Sequence, residues 1–233
     1  MLKLTNVGAW YGQAHVIQGV SLEVGRGEVV SLIGRNGAGK TTTLRTIMGL
    51  MPRSEGQIEF AGENLIGRPV HDRFRMGLGY VFEDRRIVAG LTVAENIELG
   101  LMAAPKVDHS KAIDEMLALF PRLRERWRQV AETMSGGEQQ MLAIARAIVS
   151  KPKLLMLDEP SEGVMPKLVD EMFDIFEKLA KAGLTILLVE QNVERALSIS
   201  DRAYIMDQGV VVHSESAAGL LAKPEIQERY CSV

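Results

Sequence analysis

Residues 28–42 read EVVSLIGRNGAGKTT, and this stretch restricts the possible folds of the chain more than any other. Its first six residues form a short apolar run rich in valine, which predicts a buried β-strand. A loop with three glycines follows at once, and the next residues, LRTIMGL, have the pattern of a helix. A strand, a glycine loop and a helix in direct succession predict an α/β fold organised around this unit.

The glycine loop matches the pattern G-x-x-x-x-G-K-[ST]. Glycine permits positive φ and has no side chain, so backbone N–H groups can turn inward beside the positive end of the helix and bind phosphate. The Lys40 ammonium is expected toward the β and γ phosphates, and the Thr41 hydroxyl is expected to bind Mg²⁺. A glycine-rich turn with a chance lysine is the alternative. The predicted nucleotide-binding residues are Gly34, Asn36, Gly37, Ala38, Gly39, Lys40, Thr41 and Thr42.

A second segment, KLLMLDEP at residues 153–160, predicts a buried parallel strand that ends in two carboxylates just before a proline. Carboxylates at the carboxyl edge of an open α/β sheet lie in the ligand crevice. Asp158 is predicted to hold Mg²⁺ through water, and Glu159 to orient or deprotonate an attacking water. Alone, this pattern is also typical of a solvated strand end, but the phosphate loop upstream favours the catalytic interpretation.

A third segment, MSGGEQQMLAIARAI, begins at Met134 and has Ser135 and Glu138 at the spacing of a helix capping box. Gly136 and Gly137 separate the two capping residues and leave the first amides of the helix open to approach, which an ordinary cap does not need. The segment therefore predicts a second phosphate-binding surface. The apolar stripe of the predicted helix consists of Met141, Leu142, Ala145, Ile148 and Val149.

This third segment resembles the LSGGQ signature of the ATP-binding cassette ATPases, and it lies between the other two motifs, as it does in that family. The resemblance implies ATP and Mg²⁺ as cofactors and a RecA-like P-loop core with an N-terminal antiparallel β portion and an inserted helical subdomain. It also implies a head-to-tail dimer, in which residues 135–138 of one subunit face the nucleotide held by the other. The implied division is one domain, 1–233, with a core at 1–84 and 151–233 and a helical subdomain at 85–150.

Two further family positions fall on Tyr11 and Glu83. Tyr11 matches the aromatic residue that stacks on adenine; its neighbour Trp10 is the alternative, and either ring could simply pack on a strand. Glu83, in GYVFEDRR at residues 79–86, stands where the family has a glutamine that touches Mg²⁺ and relays the nucleotide state to a transmembrane partner. A carboxylate oxygen remains a hard ligand suited to Mg²⁺.

The polar run EQN in LLVEQNVER, residues 187–195, follows another predicted strand. The family's switch histidine corresponds to Gln191, so the resemblance implies that Gln191 lies near the γ phosphate. An amide can donate to a phosphate oxygen and accept from water, but it does not titrate near neutrality as imidazole does. The alternative is that EQN only ends the strand and starts the helix VERALSIS.

Several residues depart from the family pattern: Met134 replaces leucine, Glu138 replaces glutamine, and Met165 occupies the place of an aspartate. The segments YVxE at residues 80–83, SGGEQQMLAIARA and LLVEQN resemble one of the two ATP-binding subunits of bacterial branched-chain amino-acid importers, although Phe82 stands where proline is usual. This resemblance implies ATP hydrolysis that energises high-affinity uptake. The implied partners are transmembrane permease subunits, a sister ATP-binding subunit or a second copy of the chain, and indirectly a periplasmic or extracellular solute-binding protein.

Three alternative functions stay open at this point. The chain could energise a related importer of amides, urea or other small solutes, or it could be a soluble ATPase that acts on DNA or ribosomes. Against the latter, the distance from phosphate loop to signature leaves no room for a long coiled coil. The third alternative is an ATP-gated docking module that hardly hydrolyses ATP. The basic segment RLRERWR, residues 122–128, is interpreted as a solvated helix face rather than as an RNA-binding strip.

Composition narrows the partners and the compartment. A net charge of −3 with dispersed Lys and Arg disfavours nucleic acid. No apolar run approaches the length of a membrane span, and the N-terminus does not have the pattern of a signal peptide. The single Cys231 fits a reducing compartment, and the four histidines lack metal-ligand spacing. We therefore expect a cytoplasmic protein that lies peripherally on the inner face of the cell membrane.

Overall fold

The computed structural model describes residues 1–102, 104 and 107–231. Of residue 231 only the backbone is described, so the side chain of Cys231, expected from the sequence to form no internal disulfide, lies outside the described part. In chain order the elements are β1 (Leu2–Tyr11), β2 (Ala14–Val24), β3 (Val29–Ile33), α1 (Lys40–Met48), β4 (Arg53–Phe60), β5 (Glu63–Asn64), α2 (Val70–Met76), β6 (Leu78–Val81), α3 (Val93–Met102), α4 (His109–Leu119), α5 (Pro121–Glu125), α6 (Gly136–Ile148), β7 (Leu154–Asp158), α7 (Pro166–Lys181), β8 (Thr185–Val189), α8 (Val193–Ile199), β9 (Arg202–Asp207), β10 (Val210–Ser216), α9 (Ala217–Leu221) and α10 (Pro224–Cys231).

The described residues form two sheets, which organise the fold. The first is antiparallel and has the strand order β2-β1-β4-β5. The second has the order β10-β9-β3-β8-β7-β6, in which all neighbouring strands are parallel except β9 and β10. This arrangement confirms the predicted α/β fold with an antiparallel portion near the N-terminus.

The central strands β3, β7 and β8 are buried at every residue, because a parallel sheet is covered on both faces. Successive side chains along a strand point to opposite faces. Thus Val30 and Leu32 join a hydrophobic cluster with α1 and the antiparallel sheet. Leu155 and Leu157 join a second cluster with α6 and α7. The two clusters hold the carboxyl ends of these strands rigidly at one edge of the sheet.

Polar segments follow each of these three neighbouring strands. The phosphate loop begins at Gly34 after β3, Glu159 follows β7, and Glu190 follows β8. Because β8 lies between β3 and β7 in a parallel sheet, all three segments leave the sheet at the same edge. The strand order therefore brings together residues that lie far apart in the chain.

The described residues of the range 85–150 form four α-helices, α3 to α6, and a short 3-10 helix at Ala131–Thr133, and α3 packs against α6. The apolar stripe predicted for α6 is buried, so the period-3.6 pattern of this segment corresponds to a packed face. The division of the chain into a core and a helical subdomain at these bounds stays a prediction.

The basic segment RLRERWR is not the continuous solvated helix face that its sequence suggests. Helix α5 ends at Glu125, and the chain then turns so that Arg126 approaches the start of α6 and Trp127 packs against the hydrophobic core. The physical reason is a pair of backbone hydrogen bonds: the amides of Val93 and Ala94 donate to the carbonyls of Gln129 and Trp127. They hold the segment against the start of α3.

The longest described helix is α7, with 16 residues. One face of α7 is buried and the opposite face is charged, which is the pattern of a surface helix on a sheet. Within the described ranges, no helix combines the length and the apolar character that a membrane crossing requires.

Candidate nucleotide site

The phosphate loop has the backbone geometry of an anion-binding turn. Gly34, Gly37 and Gly39 have positive φ of 148°, 79° and 105°, a conformation that glycine adopts without steric cost. A Cβ at Gly34 would lie only 2.2 Å from the Met206 carbonyl oxygen, whereas one at Gly37 would meet no atom within 4 Å. Glycine at Gly34 is therefore required by packing, and Gly37 leaves an open approach to the loop.

The start of α1 has free hydrogen-bond donors. No side chain caps this helix, and the described residues offer no hydrogen-bond acceptor to the amides of Lys40, Thr41 and Thr42. Lys40 is only 4% exposed, and its Nζ donates to the carbonyl oxygens of Gly34 at 2.9 Å and Arg35 at 3.2 Å. Free amides, a helix start and a buried ammonium together fit a nucleotide phosphate chain.

Asp158 is held by two hydroxyl groups. Thr41 Oγ1 donates to Asp158 Oδ1 at 2.8 Å, and the Tyr80 hydroxyl donates to Oδ2 at 2.7 Å. Burial raises the pKa of the Asp158 carboxyl and is only partly offset by these two bonds. A hydroxyl and a carboxylate in direct contact beside the phosphate loop are hard oxygen donors, which suit Mg²⁺. The residues present therefore fit the predicted metal.

Tyr80 is a site residue that the sequence reasoning missed. It lies on β6, is 6% exposed, and its phenol is buried against Asp158 on the neighbouring strand β7. Burial and the Asp158 carboxylate raise the pKa of Tyr80 above its usual range. The only sequence signal was a tyrosine in the strand before Glu83. Strand β6 ends at Val81 and β7 begins at Leu154, so the two strands are far apart in the chain and their pairing is not visible in the sequence.

Both carboxylate oxygens of Glu159 have contacts within the site. Its Oε1 lies 3.4 Å from Lys40 Nζ, and its Oε2 accepts a hydrogen bond from Gln191 Nε2. Glu159 has a positive φ of 47°, rare for a residue with a side chain, and its amide donates to the Val189 carbonyl at 2.9 Å. This backbone conformation turns the side chain toward the phosphate loop, and backbone strain of this kind is typical of functional sites.

The three polar residues EQN have three different contacts. Glu190 is buried and accepts hydrogen bonds from the Ser161 amide at 3.0 Å and the Ser161 hydroxyl at 2.8 Å. Gln191 contacts Glu159, and Asn192 Oδ1 caps α8 by accepting from the Arg195 amide. The helix-cap alternative therefore describes Asn192, whereas Gln191 lies at the site.

Glu190 is a second residue whose role the sequence did not reveal. Its two bonds to Ser161 join the segment after β8 to the loop after β7. Burial raises the pKa of Glu190, although the Ser161 bonds act in the opposite direction. The contact fixes the two segments that carry Gln191 and Glu159, so Glu190 supports the site rather than facing the nucleotide.

The two candidate adenine-stacking residues have different surroundings. The Trp10 ring stacks on His15 with centroids 4.0 Å apart, and the Arg53 guanidinium lies 4.3 Å from its centroid. Tyr11 is 42% exposed at the end of β1, and its hydroxyl accepts a hydrogen bond from Arg45 on α1. The Tyr11 ring is therefore the more available of the two.

Glu83 lies near the carboxylates of the site. Partial burial together with Glu159 and Asp158 raises the pKa of the Glu83 carboxyl. Glu83 also lines a cavity of about 510 Å³ that extends to Gln139 on α6 and Glu162 after β7. This position connects the predicted metal site to the signature helix.

The signature segment forms the predicted capping box. Ser135 Oγ accepts from the Glu138 amide, and the Glu138 carboxylate accepts from the Ser135 amide. A Cβ at Gly137 would lie 2.5 Å from Leu168 Cδ1, and one at Gly136 would lie 2.8 Å from Arg85 Nη1. Leu168 is buried, so packing opposes a side chain at Gly137, whereas the atoms nearest to Gly136 are the end of the flexible Arg85 side chain, which can move away. In the described part of the chain, no hydrogen bond or ion pair joins residues 135–138 to the phosphate loop.

Comparisons with known proteins agree with this geometry. Residues 17–162 match the ABC transporter family. BraG of Pseudomonas aeruginosa, a high-affinity branched-chain amino acid transport ATP-binding protein, is 46% identical and covers 99% of each chain. LivF of Archaeoglobus fulgidus, a probable branched-chain amino acid transport ATP-binding protein, is 38% identical over 98% of this chain and 97% of its own.

A solved structure has the same fold. It is a dimeric ATP-binding cassette in a post-hydrolysis state, bound to ADP and phosphate, with a TM-score of 0.83 and 25% identity. The alignment covers 93% of this chain and 99% of that one. The family match extends from β2 to Glu162 and so includes the phosphate loop, the signature and both carboxylates of the site. The chain is therefore an ATP-binding cassette protein of the ABC transporter family.

Proposed function

We propose that this protein hydrolyses ATP to ADP and phosphate and thereby energises a membrane transporter for branched-chain amino acids. The similarity to BraG and LivF over almost the whole chain supports this class of solute. The ATPase does not touch the transported molecule in this scheme, so an importer of amides, urea or another small solute is the alternative.

The observation that carries the proposal is the position of Glu159. Its carboxylate contacts Lys40 of the phosphate loop and Gln191 after β8, and it follows Asp158 directly. A carboxylate held between a phosphate-binding lysine and an amide can accept a proton from a water positioned in line with the γ phosphate. Glu159 is accordingly the proposed catalytic base.

The other residues divide the remaining tasks. Lys40 and the amides at the start of α1 bind and orient the phosphates, and Tyr11 stacks on the base. Thr41, Asp158 and Glu83 would hold Mg²⁺, which when bound neutralises charge on the β and γ phosphates. Gln191 donates its amide to a γ phosphate oxygen or holds Glu159 in place.

The signature segment serves a second copy of the cassette or a sister subunit. Among the described residues, no hydrogen bond or ion pair joins residues 135–138 to the phosphate loop of the same chain, and the related solved structure is a dimer. We infer a head-to-tail dimer in which the amides at the start of α6 face the phosphates bound by the partner. Closure on two ATP molecules and opening after hydrolysis would shift the permease between its states.

A groove beside Glu83 is the proposed docking place for the permease on the inner face of the membrane. It has a volume of about 300 Å³ and is largely apolar, with Phe74, Phe82 and Leu99 among its lining residues. Phe82 directly precedes Glu83, so a displacement of Phe82 by a docked permease would be passed on to the neighbouring residue at the proposed metal site. The periplasmic or extracellular solute-binding protein acts on the other side of the permease.

The test is a comparison of wild type with Glu159→Gln. We expect the variant to bind ATP, to lose turnover and to form stable ATP-dependent dimers, because the proton acceptor is gone while the phosphate contacts remain. Glu177→Gln, the same change on an exposed surface of α7, is the control. Unchanged turnover in Glu159→Gln would exclude Glu159 as the base. ATP binding without any turnover in wild type would instead indicate an ATP-gated docking module.

A further inference from the structure

The signature carboxylate of Glu138 is paired with a basic residue from a different segment. Arg126 Nη2 lies 2.8 Å from Glu138 Oε1. The other oxygen, Oε2, accepts from the Ser135 amide at 3.0 Å and the Ser135 hydroxyl at 2.9 Å. The Glu138 side chain is 12% exposed, so both oxygens are occupied within the subunit.

These contacts keep Glu138 ionised. Burial acts to raise the pKa of its carboxyl, but the hydrogen bonds from Ser135 and the charge of Arg126 lower that pKa on balance. Glu138 thus carries a full negative charge in the first turn of α6, at the position where the family's signature has a neutral glutamine.

A negative charge at this place conflicts with the proposed task of the helix start. The amides of Gly136 and Gly137 find no acceptor among the described residues, and in the proposed dimer they face an anionic phosphate. A carboxylate in the same turn stabilises the helix but repels that phosphate, and like charges brought together at an interface oppose association.

We propose that Arg126 is a positioning residue of the cross-subunit nucleotide site: it neutralises Glu138 and holds that carboxylate on the helix cap, so that the α6 amides stay available to the partner's ATP. This inference rests on the proposed head-to-tail dimer. In this chain, the opposite charges of Arg126 and Glu138 cancel, and the pair is therefore as neutral as the glutamine that the family's signature has at the position of Glu138.

The backbone of Arg126 is fixed for this role. Its amide donates to the carbonyl of Arg122 in the first turn of α5, and the carbonyls of Trp127 and Gln129 accept hydrogen bonds from the start of α3. Arg126 Nη1 also donates to Gln129 Oε1 at 3.0 Å. A guanidinium placed by backbone contacts loses little additional freedom when it binds a carboxylate.

The experiment is a double-mutant cycle in the Glu159→Gln background, where ATP-bound dimers are expected to accumulate. The cycle comprises Arg126→Ala, Glu138→Gln and the combination of both, with Arg124→Ala as the matched control. Arg124 belongs to the same basic segment but is exposed and does not contact Glu138. The readouts are the ATP concentration for half-maximal dimer formation, by light scattering or gel filtration, and ATP binding to the monomer.

We expect Arg126→Ala to raise the half-maximal ATP concentration for dimer formation by about fivefold or more, with little change in binding to the monomer. In the double variant the uncompensated charge of Glu138 is absent. Its half-maximal ATP concentration should therefore lie within about twofold of that of Glu138→Gln alone.

A double variant as impaired in dimer formation as Arg126→Ala would assign Arg126 a merely structural role and overturn the proposal. So would an Arg126→Ala protein that behaves like Arg124→Ala. If the background protein binds ATP but forms no dimer, the proposed dimeric function fails and this inference fails with it.

Discussion

Gln191 Nε2 donates a hydrogen bond to Glu159 Oε2, so the amide after β8 holds the carboxylate after β7. The other carboxylate oxygen of Glu159 faces Lys40 Nζ at 3.4 Å. One carboxylate oxygen thus accepts a hydrogen bond from an amide, and the other faces an ammonium of the phosphate loop. Because an amide does not titrate, the protonation state of Gln191 does not change with pH, and its hydrogen bond to Glu159 is kept across the pH range.

Gln191→His should introduce a pH dependence that wild type lacks. We expect turnover of the variant to fall several-fold as the pH decreases from about 9 to about 6, since a protonated imidazole pairs with Glu159 and makes it a weaker base. The measurement is Mg²⁺-dependent ATP turnover of both proteins across this range. Gln191→Asn, which keeps an amide, should remain as flat as wild type. Superimposable profiles of wild type and the histidine variant would mean that Gln191 does not act at the site.

Tyr80→Phe should weaken the metal site without affecting phosphate binding. The change removes one of the two hydroxyl donors to Asp158, and hydrogen bonds to charged groups contribute about 1.5 kcal/mol or more. We expect the Mg²⁺ concentration for half-maximal nucleotide affinity to rise about tenfold, measured by titration with a fluorescent ATP analogue. Affinity without Mg²⁺ should not change. The control is Tyr204→Phe, which changes a buried tyrosine elsewhere in the same sheet. An equal shift of the half-maximal Mg²⁺ concentration in both variants would indicate a general loss of packing rather than a role of Tyr80 at the metal site.

Leu99→Asp should separate ATP hydrolysis from transport. Leu99 is 38% exposed and lines the apolar groove proposed to dock the permease, so a carboxylate there would have to be desolvated on docking. We expect basal ATPase activity to be retained and solute-stimulated activity with co-expressed membrane subunits to be lost. Val212→Asp on β10, at 39% exposure and outside the groove, is the control. Stimulation that survives in Leu99→Asp would place the docking surface elsewhere.

Glu28→Gln should lower stability in a pH-dependent manner. Burial acts to raise the pKa of Glu28, but hydrogen bonds from Arg202 and the Gly25 amide lower this pKa below its ordinary value in the folded protein. The unfolded chain then binds more protons on acidification, so the contribution of Glu28 is full above about pH 4.5 and is lost below it.

We therefore expect Glu28→Gln to reduce the free energy of unfolding by about 1–2 kcal/mol at neutral pH, and by progressively less as the pH falls toward 3. Urea denaturation at a series of pH values provides the measurement. Glu177→Gln, which breaks an exposed ion pair with Lys181, should cost less than about 0.5 kcal/mol throughout. A constant gap between wild type and Glu28→Gln at all pH values would contradict the assigned pairing.

The sequence by itself determined the local units of the site. The strand, glycine loop and helix around Lys40, the buried strand that ends in Asp158 and Glu159, and the capping box of Ser135 and Glu138 are each contiguous. Their conformations follow from glycine torsions, apolar runs and helix-end hydrogen bonds, which act over a few residues. For that reason the phosphate loop, the strand end and the cap were predictable.

Only the tertiary structure decided how these units meet. The order β3-β8-β7-β6 places Gln191 on Glu159 and Tyr80 on Asp158, and a turn after α5 brings Arg126 to Glu138. In the sequence, RLRERWR indicates a solvated helix face, because periodicity does not show where a helix ends against another segment. Strand order and interhelical contacts depend on the free energy of the whole packed core, so they are not encoded in any short stretch of the chain.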